Sequence, residues 1–94
     1  MDELLDTEAV ILHVYGRVQG VGFRYYTQKK AMELRISGYV KNRPDGSVYI
    51  EAEGKPENIE ALIRWCEMGP SWARVSKVEK QRIPLRNHEG FEIR

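Results

Sequence analysis

Apolar and polar residues alternate along several stretches of this 94-residue chain, and a two-residue period is typical of β-strands with one buried face. The first stretch places Val10, Leu12 and Val14 on one face. In the third such stretch, residues 48–53, Glu51 and Glu53 alternate with apolar residues and are therefore predicted to face outward. The predicted strands are residues 10–15, 36–41, 48–53 and 74–84, with residues 91–93 as a candidate short fifth strand.

Two other stretches repeat small or apolar residues every three or four positions, which is the period of a helix with one buried stripe. The first predicted helix covers residues 23–34. The second begins at Pro56, a residue that suits a first helical turn, and ends at Gly69-Pro70. Its predicted buried stripe consists of Ile59, Leu62, Ile63 and Cys66.

The predicted elements follow one another in the order βαββαβ, which is the order of two split β-α-β halves. Such a chain folds into one antiparallel sheet with both helices on one face, the ferredoxin-like α+β sandwich. A chain of this length has room for a single core. We therefore expect one domain at residues 9–94, preceded by a flexible acidic lead-in at residues 1–8.

The charge is nearly balanced, since 15 basic and 14 acidic side chains give a formal net charge of +1. This balance predicts no general attraction to nucleic acid or to an anionic membrane, so any anion site must be local. No apolar run approaches the roughly 20 residues that span a bilayer. Cys66 is the only cysteine, which excludes an intramolecular disulfide and a zinc site built on cysteine pairs. With an acidic N-terminus unlike that of a signal peptide, these features predict a cytoplasmic protein.

The segment 16–22 carries three glycines and joins the first strand to the first helix. Backbone N–H groups ahead of a helix lack intrahelical partners, and the helix dipole adds positive charge there, so a phosphate fits such a place. Arg24 follows in the first turn, where its planar fork can bind two phosphate oxygens. The segment matches neither the dinucleotide-binding fingerprint nor the P-loop. On local sequence alone, an ordinary glycine-rich turn remains an alternative.

Two longer segments, residues 16–24 and residues 38–48, resemble the two signatures of the acylphosphatase family, and the resemblance covers nearly the whole chain after residue 8. It implies a hydrolase that needs no metal and no cofactor. It also implies that Arg24 binds phosphate and that Asn42 positions the attacking water, although a turn residue bonding its own backbone is the structural alternative for Asn42. The loop residues implied to bind substrate are Gly16, Arg17, Val18, Gln19, Gly20, Val21, Gly22 and Phe23. One departure is Arg35, where relatives often have glycine.

The implied reaction splits the carboxyl–phosphate anhydride bond by direct attack of water, giving a carboxylate and inorganic phosphate. The leaving carboxylate has a low pKa, so no general acid is needed and positioning with charge stabilisation can suffice. Substrates implied by the family include 1,3-bisphosphoglycerate, carbamoyl phosphate and aspartyl phosphate on proteins, and the sequence does not select among them. We expect a monomer. Whether a carboxylate at Arg94 pairs with Arg24 stays open.

Several conspicuous residues are interpreted as structural. His13 is expected on the open side of the sheet, His88 in solvent, and Cys66 in the core as an inert thiol. Trp65 and Trp72 flank the end of the second helix and are expected to pack against the domain.

Two alternatives from other functional classes share this element order. RNA-recognition domains stack bases on aromatics of the first and third strands, but the predicted outward carboxylates Glu51 and Glu53 would repel a phosphate backbone. A regulatory domain that binds phosphate or carbamoyl phosphate is nearer, since hydrogenase-maturation proteins begin with a similar domain. The presence of both Arg24 and Asn42 favours the working enzyme over that alternative.

Overall fold

The computed structural model describes residues 6–94, which form two helices and a five-stranded sheet. The predicted lead-in at residues 1–8 lies mostly outside the described residues, and Glu8 is already the first residue of a strand. No helix within residues 6–94 has the length and hydropathy needed to cross a membrane. The elements are β1 (Glu8–Arg17), α1 (Phe23–Glu33), β2 (Ser37–Asn42), β3 (Val48–Gly54), α2 (Pro56–Met68), β4 (Arg74–Ile83) and β5 (Phe91–Ile93).

The strands lie in the order β4-β1-β3-β2-β5 across the sheet. The pairs among β1 to β4 are antiparallel, as predicted, whereas β5 pairs parallel with β2, with Phe91 opposite Gly38. The expectation of a wholly antiparallel sheet is therefore wrong at this edge. The reason is topological, because β4 and β5 occupy opposite edges. After β4 the chain reverses through residues 84–90, here called the crossing segment, and so enters beside β2 in the direction of β2.

The helices cover one face of the sheet, with α1 over β2 and β5 and α2 over β4, β1 and β3. The stripe predicted for α2 is buried, which confirms the helical period read from the sequence. Burial raises the pKa of the Cys66 thiol, so this side chain stays protonated and inert, as expected. The largest fully buried side chains are Phe23, Leu12, Ile50, Ile59, Leu62, Val10, Val14, Val18, Val40, Val48, Thr27 and Cys66.

The opposite face of the sheet departs from the sequence prediction. Glu51 and Glu53 do alternate with the core residues of β3, but they are only 2% and 5% exposed. The crossing segment lies over them, and the Glu53 carboxylate accepts hydrogen bonds from the backbone N–H groups of Arg86, Asn87 and His88, the last two at 3.0 and 2.8 Å. The two-residue period gave the correct face, but it could not reveal that a distant segment covers that face.

Glu51 occupies a second polar cluster beside this one. Its carboxylate lies 2.7 Å from Nε2 of His88 and accepts hydrogen bonds from the hydroxyls of Tyr39 and Tyr49, each at 3.2 Å. Burial by itself raises the pKa of Glu51, but these hydrogen bonds and the nearby charge of Arg86 outweigh burial and hold the pKa below its ordinary value. The prediction of a solvated His88 is therefore wrong, because Glu51 binds it.

The aromatic residues also divide between confirmed and wrong predictions. His13 contacts the ring of Tyr49 at a centroid distance of 5.4 Å, on the side of the sheet away from the helices, as expected. Trp65 packs against Phe23 at 5.5 Å. Trp72 does not pack, because it is 78% exposed in the connection between α2 and β4.

Since Glu51 and Glu53 are buried, the repulsion that argued against RNA on the open face is weaker than the sequence suggested.

The end of α1 shows why relatives often have glycine at the position of Arg35. The N–H of Arg35 donates to the carbonyl of Met32 at 3.2 Å and the N–H of Ile36 donates to that of Ala31 at 2.8 Å, which are the two bonds of a Schellman motif. Arg35 accordingly has a left-handed backbone with φ of 55°. Glycine adopts this conformation without the Cβ penalty, so arginine here costs stability.

Candidate active site

The glycine loop, residues 16–22, connects β1 to α1 and takes its shape from backbone conformations that favour glycine. Gly16 lies against β4 so closely that a Cβ would stand 2.1 Å from the carbonyl oxygen of Arg74. Gly22 is the N-cap of α1 with φ of 80°, and because it has no side chain, it cannot cap the first turn. No side chain among residues 6–94 caps the start of α1, so its first N–H groups are available as donors next to the positive end of the helix dipole.

A cleft of about 210 Å³, here called the phosphate cleft, opens at this end of α1. It brings together both predicted catalytic residues and part of the glycine loop, although the two catalytic positions are 18 residues apart in sequence. Its lining residues are Val18, Gly20, Gly22, Phe23, Arg24, Tyr25, Asn42 and Ile93. Val18 and Phe23 are buried in the core, each only 1% exposed, so they close the floor of the cleft and offer little surface to a ligand.

The Arg24 guanidinium has only one polar contact among the described residues. Its Nη1 donates to the main-chain oxygen of Arg94 at 3.3 Å. Arg24 and Arg94, whose pairing the sequence left open, are therefore in contact. Within residues 6–94, no aspartate or glutamate side chain forms an ion pair with Arg24. The positive charge at the mouth of the cleft is therefore available to an anion.

Asn42 is the last residue of β2 and pairs with Val48. Its side-chain amide takes part in none of the hydrogen bonds found among residues 6–94, whereas in the following turn Asp45 accepts hydrogen bonds from the Ser47 N–H at 2.9 Å and the Ser47 hydroxyl at 2.6 Å. The hydroxyl and backbone bonds from Ser47 lower the pKa of Asp45. The local backbone bond that was the structural alternative for Asn42 is thus made by Asp45 instead.

Gln19 connects the glycine loop to that same turn. Its Nε2 donates to the carbonyl oxygens of Arg43 at 2.7 Å and Ser47 at 2.8 Å. The Arg43 N–H also donates to the Ser47 carbonyl at 2.9 Å, so both strand ends are held together. Gln19 therefore fixes the distance between the loop and Asn42, and it is not among the residues that line the phosphate cleft.

The remaining loop residues of the sequence prediction also lie outside the phosphate cleft. Gly16 and Arg17 belong to β1, which extends two residues further than predicted, with an irregular register against β4 between Tyr15 and Gly16. Arg17 and Val21 line a separate, neighbouring cleft. Conversely, sequence reasoning missed Tyr25 and Ile93. Tyr25 follows Arg24 directly, which was an available signal, whereas Ile93 reaches the site only because β5 lies beside β2.

Comparison with known proteins identifies the relatives of this chain. Residues 10–93 match the model of the acylphosphatase family. An acylphosphatase from Synechococcus sp. WH7803 is 47% identical over 90 residues, which are 96% of this chain and 90% of that protein. One from Thermococcus kodakarensis is 48% identical over 82 residues, 87% of this chain and 90% of that protein. The chain belongs to the acylphosphatase family.

Structural comparison agrees with this assignment. A solved acylphosphatase from Coxiella burnetii has a TM-score of 0.96 and 35% identity, covering 100% of this chain and 99% of that one. The family resemblance and the ferredoxin-like α+β fold predicted from sequence are both confirmed.

Proposed function

We propose that this member of the acylphosphatase family hydrolyses acyl phosphates to a carboxylate and inorganic phosphate, with Arg24 as the phosphate clamp and Asn42 as the residue that positions water. The observation that carries this proposal is the meeting of a guanidinium that pairs with no aspartate or glutamate and a side-chain amide without a hydrogen-bond partner, judged within residues 6–94, in one cleft at the start of α1. Both groups can therefore turn to a ligand.

The phosphate group is bound by two kinds of donor. The N–H groups that begin α1 supply hydrogen bonds and the positive end of the helix dipole. The Arg24 fork adds a full charge and two parallel hydrogen bonds. Together they neutralise the phosphate oxygens as the transition state forms, which is the main requirement of phosphoryl transfer. Because Arg24 and the N–H groups supply this charge, we expect the reaction to need neither metal nor cofactor.

The amide oxygen of Asn42 accepts a hydrogen bond from the attacking water and aligns that water with phosphorus. Gln19 holds the turn after Asn42 against the glycine loop, so the water site and the phosphate site keep a fixed separation. The water oxygen bonds to phosphorus as the bond from phosphorus to the carboxyl oxygen breaks. Both protons of the water stay with the inorganic phosphate, and the carboxylate leaves as an anion that needs no proton from the protein.

The decisive experiment follows benzoyl phosphate hydrolysis in the presence of EDTA, using wild type, Arg24→Ala and Arg24→Lys. We expect rapid wild-type turnover that survives the chelator and a loss of about 10³ or more in Arg24→Ala, by analogy with arginine fingers. Arg24→Lys keeps the charge but loses the planar fork, so its activity should fall between the two. A folded wild type without turnover would instead indicate a phosphate-binding regulatory domain.

Two further expectations concern the setting of this reaction. We propose a cytoplasmic protein, because its single cysteine is buried and needs no oxidising compartment. We also propose a monomer, because Arg24 and Asn42 meet in one cleft of a single chain and the proposed reaction needs no residue from a second copy. Light scattering on the purified protein would check the second expectation, and a mass of two chains would contradict it.

A further inference from the structure

A second cleft, of about 520 Å³, lies on the other side of the glycine loop. We call it the acyl cleft, and its lining residues are Arg17, Gly20, Val21, Ser71, Trp72 and Arg74. Gly20 also lines the phosphate cleft, so the two clefts meet at the tip of the loop. A molecule whose phosphate occupies the first cleft can therefore extend across Gly20 into the second.

The acyl cleft carries two positive charges without acidic partners in the described part of the chain. Arg17 and Arg74 stand directly opposite each other in the ladder between β1 and β4. Like charges at opposed positions destabilise a sheet. Neither arginine forms an ion pair within residues 6–94, and the hydrogen bond found for the Arg74 guanidinium goes to the carbonyl of Ala73 at 3.4 Å. An anion bound here would remove the repulsion that the free protein retains.

The acyl cleft also has apolar lining residues. Trp72 is 78% exposed, and Val21 packs partly against the core. The backbone around Trp72 is held by the Ala73 N–H, which donates to the carbonyl of Pro70 at 3.0 Å. A tryptophan left this open on an ordered turn offers a flat surface for a carbon chain or a ring. The cleft thus combines apolar surface with two cationic side chains.

We propose that the acyl cleft binds the acyl portion of the substrate and selects acyl phosphates whose acyl chain ends in a second anionic group. This inference rests on the proposed hydrolysis of acyl phosphates and adds the substrate class. The bonds made and broken in the reaction are unchanged, because the cleft only holds the part of the substrate that does not react. Arg17 and Arg74 pair with the distal anion, while Trp72 covers the carbon chain between the two charged ends.

The test compares succinyl phosphate, which has a distal carboxylate, with acetyl phosphate, which has none. The readout is the ratio of kcat/KM for the two substrates in wild type and Arg74→Gln. We expect wild type to prefer succinyl phosphate and Arg74→Gln to lower the ratio about tenfold, the size of one hydrogen bond to a charged group. The change should fall mainly in KM, because contacts with the distal group are equally strong in ground and transition states.

Arg82→Gln is the matched control, since it removes the same charge from the same strand. Arg82 lies eight residues from Arg74 along β4, which is roughly 26 Å. An equal fall of the ratio in Arg82→Gln would attribute the preference to long-range steering and overturn the proposal. An unchanged ratio in folded Arg74→Gln would also overturn it.

The same question can be asked without catalysis. Succinylphosphonate and acetylphosphonate are analogues that resist hydrolysis, and the ratio of their Kd values should change with Arg74→Gln as the kinetic ratio does. If wild type hydrolyses neither substrate, the proposed function fails, and the Kd ratio still decides the acyl cleft. A salt titration adds a further check, because screening at 1 M salt should reduce the preference for the ligand with the distal carboxylate.

Discussion

The polar side chains near the two ends of β3 differ in whether they have partners in the free protein. Near its start, the phosphate cleft contains Arg24, which pairs with no aspartate or glutamate among residues 6–94, and Asn42, whose side-chain amide has no hydrogen-bond partner there. Near its end, Glu51 and Glu53 are buried, and each carboxylate accepts several hydrogen bonds. A polar group whose bonds are complete in the free protein contributes to folding, whereas one left incomplete is available to a ligand. Substitutions in the two regions should therefore affect different measurements.

After the loss expected for Arg24→Ala, the largest expected effect is that of Asn42→Ala on catalysis. Turnover of benzoyl phosphate should fall on the order of 10²–10³, as when one oriented polar group is removed from an active site. The free energy of unfolding should change little, because no hydrogen bond within residues 6–94 uses the Asn42 amide. Kinetics and urea unfolding on the same samples test both expectations, the fall in turnover and the unchanged stability. Near-normal turnover would mean that another group holds the water.

Glu53→Gln should reverse this pattern. The carboxylate accepts three backbone N–H bonds from the crossing segment, and the amide of glutamine replaces one accepting oxygen by a donor that faces those N–H groups. We expect the free energy of unfolding to fall by about 2–3 kcal/mol, with kcat/KM unchanged at a temperature where the variant is folded.

Glu60→Gln is the matched control for stability, since Glu60 lies exposed on α2. Its free energy of unfolding should stay close to that of wild type. Loss of activity in folded Glu53→Gln would show that the two regions are coupled and would contradict the comparison drawn above.

The same contrast explains what the sequence could and could not predict. The helices, the strands and the positions of Arg24 and Asn42 were predictable because they follow from local periods and from two contiguous family signatures, whereas Ile93 joins the phosphate cleft only because β5 lies beside β2. Burial of Glu51 and binding of His88 were not predictable, since they depend on a segment more than 30 residues away crossing the sheet. Parallel pairing of β5 has the same origin. A period of two residues identifies a face, but only the chain path decides whether that face is covered.

The exposed Trp72 shows the converse error. Its position next to the end of α2 suggested packing, because most tryptophans bury large apolar surfaces. The turn that contains it instead projects the side chain beside Arg17 and Arg74, which are far apart in sequence and meet only through the β1–β4 ladder. The left-handed backbone of Arg35 is a further feature that the sequence signals only indirectly, because relatives often have glycine at this position.

The smallest expected effect concerns the pH dependence of stability at Glu51. Its pKa is lowered in the folded protein because hydrogen bonds from His88, Tyr39 and Tyr49, with the charge of Arg86, outweigh the opposing effect of burial. A lowered folded pKa means that the unfolded chain binds the proton more readily, so acid favours unfolding. The contribution of this carboxylate is complete above the ordinary value of 4.5 and is lost as the pH falls through the folded pKa.

Glu51→Gln removes this titration while keeping a side chain of similar size. The difference in free energy of unfolding between wild type and Glu51→Gln should therefore be largest near pH 7 and shrink steadily as the pH is lowered from 5 to 3. Urea unfolding at several pH values measures it, with Glu60→Gln again as the control that should show a small difference throughout. A difference for Glu51→Gln that stays constant with pH would mean that its hydrogen bonds matter only for their geometry. In that case, the negative charge of Glu51 would contribute nothing to stability, and charge would matter only at the other end of β3, in the phosphate cleft.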